Sequence, residues 1–132
     1  TISEEAEMIE TYLEIEKIRF GDKLEYSIEI SNEVKDFKLP RMLLQPVVEN
    51  CVKHGLKGNI EVLNIRISFN QTINIITISI KDDGTTFPDD IIPGYGIKSV
   101  YDKLDLLFPG KYIVDLNRYP EKEFRIILEL CE

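Results

Sequence analysis

The sequence predicts a two-layer α/β sandwich, in which a mixed, mostly antiparallel sheet carries helices on one face only. Helix-like and strand-like segments succeed one another along the 132 residues, and each strand-like segment alternates apolar with polar residues. An alternating strand has one apolar face, whereas a strand covered on both faces is apolar throughout. The length and a hydrophobic content of 43% suit one core, and we predict a single domain over residues 1–132.

The first predicted element is an entry helix within residues 1–20, running from about Ser3 to Phe20. Ser3 is the expected N-cap, and the carboxylates of Glu4 and Glu5 complement the positive end of the helix dipole. Gly21 is expected to follow its last turn. Five residues at helical spacing form the predicted apolar face: Met8, Ile9, Tyr12, Leu13 and Ile15.

The segment 24–30 alternates strictly between apolar and polar residues and predicts a half-buried strand. A second helix runs from about Arg41 or Pro46 to His54, because either proline of this segment fits a first helical turn. Gly55 is expected to terminate it. The predicted apolar face of this helix consists of Val47, Val48, Cys51 and Val52.

The same alternation predicts four more strands. Residues 65–69 and 76–80 form an expected hairpin whose turn lies at 70–71. Residues 112–116 and 124–130 form the last two strands. All of these segments are apolar on one side, which agrees with a sheet covered by helices on one face.

A third helix is predicted from about Ile97 to Phe108, and Pro109-Gly110 follows as a stop signal. The order of elements is therefore helix, strand, helix, hairpin, helix and two strands, with no linker or repeat. Four residues are predicted to share the apolar side of the third helix: Val100, Tyr101, Leu104 and Leu107.

The composition excludes several classes of function. The net charge of −8, from 24 acidic and 16 basic residues, is the opposite of what a general nucleic-acid binder carries. No apolar run reaches the roughly 20 residues of a membrane helix, so we expect no direct membrane contact. Cys51 and Cys131, with one histidine, do not make a zinc site. Both are expected to be reduced core residues of a cytosolic protein.

The polar end of the second helix, Glu49 to Gly55, is the first candidate site. Asn50, Lys53 and His54 are spaced to project on one side of a helix. An amide oxygen can ligate Mg²⁺, an ammonium and an imidazole can hold phosphate oxygens, and Glu49 could orient or deprotonate a hydroxyl or water. A helix whose polar last turn merely satisfies its own end carbonyls would have the same residues.

Two glycine-containing segments are the other candidates. Asp82 follows an apolar strand, where its carboxylate could accept a hydrogen bond from an exocyclic amine, and Gly84 would let the backbone approach a flat ring. Gly94 and Gly96 precede the third helix and could free backbone N–H groups for phosphates. A plain turn and a flexible helix entry are the simpler interpretations of these segments.

The order of the three segments resembles the ATP site of the Bergerat-fold superfamily, which includes histidine kinases, type II topoisomerases and mismatch-repair proteins. The resemblance is greatest to sensor histidine kinases of the autolysin-regulator type. Residues 39–55 resemble their block LPPLLLQPLVENAIKHG, residues 12–20 read YLEIEKIRF like their entry helix, and residues 95–104 resemble GLKNVRERL. The similarity extends over nearly the whole chain.

The resemblance implies ATP and Mg²⁺ as ligands. Carried over by position, Asn50 would bind Mg²⁺ while Lys53 and His54 would contact phosphates. Asp82 would receive the adenine amine with Gly84 beside the base. Gly94 and Gly96 would form the hinge of a lid over the triphosphate.

The resemblance also implies the reaction and the partners. The γ-phosphate of ATP would pass to a histidine on a separate dimerisation domain of a homodimeric kinase, which then serves a response regulator. His54, inside the nucleotide motif, is the only histidine. We therefore expect the phosphoacceptor region to be absent and the chain not to autophosphorylate. It would be the cytoplasmic catalytic part of a longer, membrane-anchored bacterial sensor.

Five positions depart from the family pattern. Thr86 replaces a glycine, Asp83 adds a negative charge near the expected polyanion, and Ser99 stands where asparagine is usual. Glu123-Phe124 replaces a terminal Gly-Thr. Two alternatives stay open, namely a degenerate nucleotide site that acts as a protein-interaction module and a serine kinase of the anti-sigma type, which would share the fold and the segment around Asn50.

Overall fold

The structure, a computed structural model, describes residues 1–55, 62–83, 97–117 and 122–130, without the side chains of His54 and Ile97. None of the helices in these ranges is long and apolar enough to cross a membrane. The elements are α1 (Ile2–Phe20), a 3-10 turn (Gly21–Lys23), β1 (Leu24–Ile30), α2 (Gln45–Gly55), β2 (Leu63–Thr72), β3 (Ile75–Asp82), α3 (Ile97–Leu107), β4 (Tyr112–Asn117) and β5 (Lys122–Glu129).

The strands form one five-stranded sheet in the order β1-β2-β3-β5-β4. Only β1 and β2 run parallel, and the other neighbours are antiparallel. Every second residue is buried along most of β2, β3 and β5, so the helices cover one face of the sheet. This arrangement confirms the predicted mixed, one-sided α/β sandwich.

The core lies between the helices and the covered face of the sheet. Its largest fully buried side chains come from α1, from the chain just before α2 and from strands β1, β2, β3 and β5. They are Ile2, Ile9, Leu13, Leu24, Leu43, Leu44, Leu63, Ile65, Ile67, Phe69, Ile76 and Phe124. Asp82 and Lys122 interrupt this apolar surface at one end of β3 and β5.

Helix α1 begins earlier than predicted. Thr1, not Ser3, is the N-cap, and it forms a capping box with Glu4. The predicted apolar face was too wide, because Met8 and Ile15 are exposed while Ile9 and Leu13 are buried. Gly21 follows the helix at a φ of 58°, a conformation that favours glycine.

Gly55 belongs to the last turn of α2 and does not adopt a positive φ. A Cβ at this position would lie 2.6 Å from a methyl carbon of Leu63. The glycine therefore permits the close approach of α2 to β2, and α2 ends at this residue, as the sequence predicted.

The β2–β3 hairpin is longer than predicted. The pairing extends to Thr72 and Ile75, so the turn lies at Ile73-Asn74, and the predicted turn at residues 70–71 was wrong. In α3, Val100 and Leu104 are buried as expected. Tyr101 and Leu107 are exposed, so the apolar side of this helix is narrower than predicted.

Candidate nucleotide site

Helix α2 presents an apolar side to the core and a polar side to its surroundings. Val47, Val48, Cys51 and Val52 are buried, while Lys53 is exposed. Asn50 is half-buried, and its Nδ2 donates to the Pro46 carbonyl at 3.0 Å. The bond uses the amide nitrogen and not the amide oxygen, Oδ1, and an amide oxygen is a ligand that suits a hard cation such as Mg²⁺.

Glu49 lies on the side of α2 that faces α1. Its Oε2 accepts a hydrogen bond from Gln45 Nε2 at 3.0 Å. The phenol of Tyr12 lies close enough to interact electrostatically with Glu49. The pKa of Tyr12 is raised mainly by burial, and further by Glu16 and then by Glu49. The predicted catalytic carboxylate is therefore held by Gln45 on its own helix and lies near Tyr12 of α1.

Asp82 ends β3 on the covered face of the sheet. Lys122 stands opposite Asp82 in the β3–β5 register, and its Nζ lies 3.3 Å from Asp82 Oδ2. The two side chains are only 3% and 2% exposed. The predicted adenine carboxylate is therefore half of a buried ion pair.

Cys51 completes this cluster from α2. Burial raises the pKa of the Cys51 thiol well above its ordinary value, and the negative charge of Asp82 raises it further while Lys122 opposes the rise. A hydrogen bond from the thiol to the Asp82 carboxylate acts in the same direction as burial. The bond joins α2 to the end of β3, so the residue after Asn50 contacts the predicted base carboxylate.

Two of the departures from the family pattern point away from this cluster. The Asp83 carboxylate accepts hydrogen bonds from the backbone N–H of Asn64 at 2.7 Å and from its Nδ2 at 2.9 Å. Glu123 accepts from Ser79 Oγ at 2.6 Å on the uncovered face of the sheet. The predicted departure lies at Glu123-Phe124, whereas the side chain that meets Asp82 is Lys122.

Sequence reasoning missed Lys122 and the role of Cys51. The signal for Lys122 was present, since the alternation that buries Phe124 also buries the residue two positions before it. Gly84, Gly94, Gly96, Thr86 and the side chain of His54 lie outside the described residues, and so does Cys131.

Two contacts fix the chain that leads into α2. Buried Glu5 on α1 accepts a hydrogen bond from the backbone N–H of Leu44 at 2.8 Å. Lys103 Nζ on α3 donates to the carbonyls of Arg41 and Met42 at 2.8 and 2.9 Å. Helices α1 and α3 therefore both anchor the chain that leads into α2.

Comparison with known proteins shows clear relatives. The sensor histidine kinase BtsS of Escherichia coli is 31% identical over 131 residues, which is 98% of this chain and 23% of that protein. The sensor histidine kinase YesM of Bacillus subtilis is 27% identical over 135 residues, again 98% of the chain and 23% of the relative. The chain thus spans about a quarter of these relatives. No family model matches it.

Solved structures share the fold. The catalytic domain of the histidine kinase ThkA superposes with a TM-score of 0.65 over 96% of this chain and 90% of that domain, at 16% identity. The complex of ThkA with the response regulator TrrA matches over 99% of this chain and 41% of that one, with a TM-score of 0.62 and 13% identity. At these identities the likeness is one of fold.

Proposed function

Because the chain belongs to the family of Bergerat-fold ATPase domains found in sensor histidine kinases, we propose that it binds ATP with Mg²⁺ and presents the γ-phosphate to a histidine on a dimerisation domain. The observation that carries this proposal is the geometry of Asn50 and its neighbour Cys51. Asn50 bonds to its own helix through the amide nitrogen and not through the amide oxygen, and Cys51 bonds to Asp82 at the end of β3. The proposed metal ligand and the proposed base ligand are thus linked through consecutive residues of α2.

The polar side of α2 would hold the metal and the phosphates. Asn50 Oδ1 fits Mg²⁺, which prefers oxygen ligands and keeps several waters. When bound, the ion supplies charge neutralisation for the phosphate oxygens. Exposed Lys53, with His54, would contact phosphates. Glu49 would orient the attacking group, although its bond to Gln45 must open for contact with a reacting atom.

The other proposed contacts lie at the base and the lid. Asp82 would accept the adenine amine, with Gly84 beside the ring. Gly94 and Gly96 would hinge a lid over the triphosphate. Phosphoryl transfer depends mainly on positioning and charge neutralisation, so these residues would act by holding the nucleotide.

The proposed partners follow from the same family. The phosphoacceptor and dimerisation domain of a homodimeric kinase would receive the phosphate, and a response regulator would receive it next. The ThkA complex contains such a regulator, which supports that partner. A cytoplasmic location within a membrane-anchored sensor stays a prediction. The named relatives do not favour the degenerate-module or anti-sigma alternatives.

Calorimetric titration with a non-hydrolysable ATP analogue, with and without Mg²⁺, tests the proposal. We expect binding that tightens with Mg²⁺, and we expect Asn50→Ala to abolish that dependence because the amide oxygen is lost. Asn70→Ala, at an exposed position on β2, is the matched control and should bind like the unaltered chain.

Two outcomes of these titrations would contradict the proposal. Absence of binding at millimolar nucleotide would remove the ATP-binding function from this chain. Full Mg²⁺ dependence in Asn50→Ala would remove the metal role of Asn50 while leaving nucleotide binding in place.

A further inference from the structure

Lys122 is a charged residue in an otherwise apolar row. It shares the covered face of β5 with Phe124, Ile126 and Leu128, all of them buried. A lysine ammonium is strongly hydrated and is seldom fully buried without a partner. Here the partner is Asp82, whose Oδ2 lies 3.3 Å from the lysine Nζ.

Packing alone gives a weak reason for a buried ion pair. Two charges lose much hydration on burial, and replacing such a pair by apolar residues of similar volume is often neutral or stabilising. The pair also lies at the place where the base would bind, since Asp82 is the residue proposed to accept the adenine amine. The location therefore points to a ligand-binding role for both members.

We propose that Lys122 is a second base-recognition residue, which donates a hydrogen bond to the ring nitrogen N1 of the purine while Asp82 accepts from the neighbouring exocyclic amine. This inference rests on the proposed ATP-binding function. It adds to the proposed site a specificity-determining residue that lies outside the segments resembling the family.

The chemistry of the pair matches that edge of adenine. Adenine presents a donor, the amine, next to an acceptor, N1. Asp82 and Lys122 present an acceptor next to a donor, and the 3.3 Å separation of their atoms lets one planar edge reach both. A carboxylate accepts only, and an ammonium donates only, so neither residue alone reads both atoms.

The charge balance agrees with this assignment. Asp82 and Lys122 together are neutral, as is adenine. A base that covers the pair therefore buries no net charge, whereas a base over an unpaired carboxylate would. The register of β3 and β5 sets Asp82 directly opposite Lys122, so both side chains lie on the same side of the sheet.

Altered nucleotides test the inference without altering the protein. ATP, 1-deaza-ATP and 7-deaza-ATP are titrated with Mg²⁺ into the unaltered chain. The 1-deaza compound lacks the N1 acceptor, and the 7-deaza compound keeps it and serves as the control. We expect 1-deaza-ATP to bind about tenfold more weakly than ATP, the effect of one charge-assisted hydrogen bond, and 7-deaza-ATP to bind like ATP.

Variants then identify the donor. In Lys122→Met the difference between ATP and 1-deaza-ATP should vanish. Because this change leaves Asp82 buried without its partner, the neutral double variant Asp82→Asn/Lys122→Met provides a second background, in which the difference should vanish as well.

The outcomes distinguish failure of the proposed role of Lys122 from failure of the proposed ATP-binding function. Equal binding of ATP and 1-deaza-ATP by the unaltered chain overturns the role of Lys122 and leaves ATP binding intact. A tenfold difference that persists in either variant also overturns it, because another group must then read N1. If the unaltered chain binds no ATP, the proposed function fails and the inference fails with it.

Discussion

The two ends of the proposed nucleotide site differ in how much of the fold depends on them. At the base end, Asp82 and Lys122 form a buried ion pair that contacts the buried thiol of Cys51. At the phosphate end, Asn50 is half-buried and Lys53 is exposed. The base end is part of the core, whereas the phosphate end is a polar helix surface.

Function and stability can therefore be separated by substitution at one end of the site and not at the other. A substitution at the base end changes the free energy of unfolding and the affinity for nucleotide together. A substitution at the phosphate end changes affinity with little effect on the fold. Three predictions test this contrast, beginning with the largest expected effect on stability.

Lys122→Met should lower the free energy of unfolding by about 3–5 kcal/mol, because it leaves the Asp82 carboxylate buried without a counter-charge. Urea denaturation followed by circular dichroism measures the change. Lys98→Met is the control, since the Lys98–Asp102 pair is 79% and 61% exposed and its loss should cost less than about 1 kcal/mol. Equal losses in the two variants would show that the base end is not part of the core.

Glu5→Ala should cost about 1–3 kcal/mol, because the buried N–H of Leu44 loses its acceptor. The change loosens the chain that leads into α2, so a smaller loss of Mg²⁺-dependent nucleotide affinity should accompany it. Glu7→Ala, at an exposed position on the same helix, is the control for both readouts. Unchanged stability in Glu5→Ala would mean that α1 does not hold α2.

Lys53→Met should change stability by no more than about 0.5 kcal/mol, since the side chain is exposed. Its affinity for the Mg²⁺–nucleotide complex should fall about tenfold through the loss of a charge-assisted contact to phosphate. Lys35→Met, exposed in the loop after β1, controls for the change in net charge. An equal loss of affinity in both variants would assign the effect to overall charge rather than to a phosphate contact.

Periodicity predicted the layers of the fold, because the buried face of a sheet and the buried face of a helix each require apolar residues at a fixed spacing in the sequence. It did not predict which apolar residues stay exposed. Met8 and Ile15 have the spacing of a core face, yet neither is buried. The width of the buried face of a helix depends on how the helix packs against the sheet, and the spacing of residues along the chain does not determine that packing.

The turn prediction failed for a different reason. Asn70-Gln71 is a common turn composition, but cross-strand pairing carries both residues into β2. Gly55, in contrast, lies at the end of α2 as predicted, and its lack of a side chain also leaves room for Leu63 on β2. Tertiary pairing overrode local preference at the turn and agreed with it at the helix end.

The sequence predicted those residues of the candidate site that lie within a recognisable motif. It did not predict the residue that reaches the site only through the pairing of two strands. Asn50 and Asp82 stand in segments that resemble a known family. Lys122 matters only because the β3–β5 register sets it opposite Asp82, and a register is a relation between segments 40 residues apart. No pattern within either segment contains that relation.

The parallel pairing of β1 with β2 has a consequence for the order of folding. The β2–β3 turn joins Thr72 to Ile75, so this hairpin closes a very short loop, whereas β1–β2 pairing joins Leu24 to Leu63. Closing a longer loop costs more chain entropy, and distant contacts form more slowly. Helix α2 lies inside that longer loop. The polar helix surface proposed for metal and phosphate is therefore expected to assemble after the hairpin that carries Asp82.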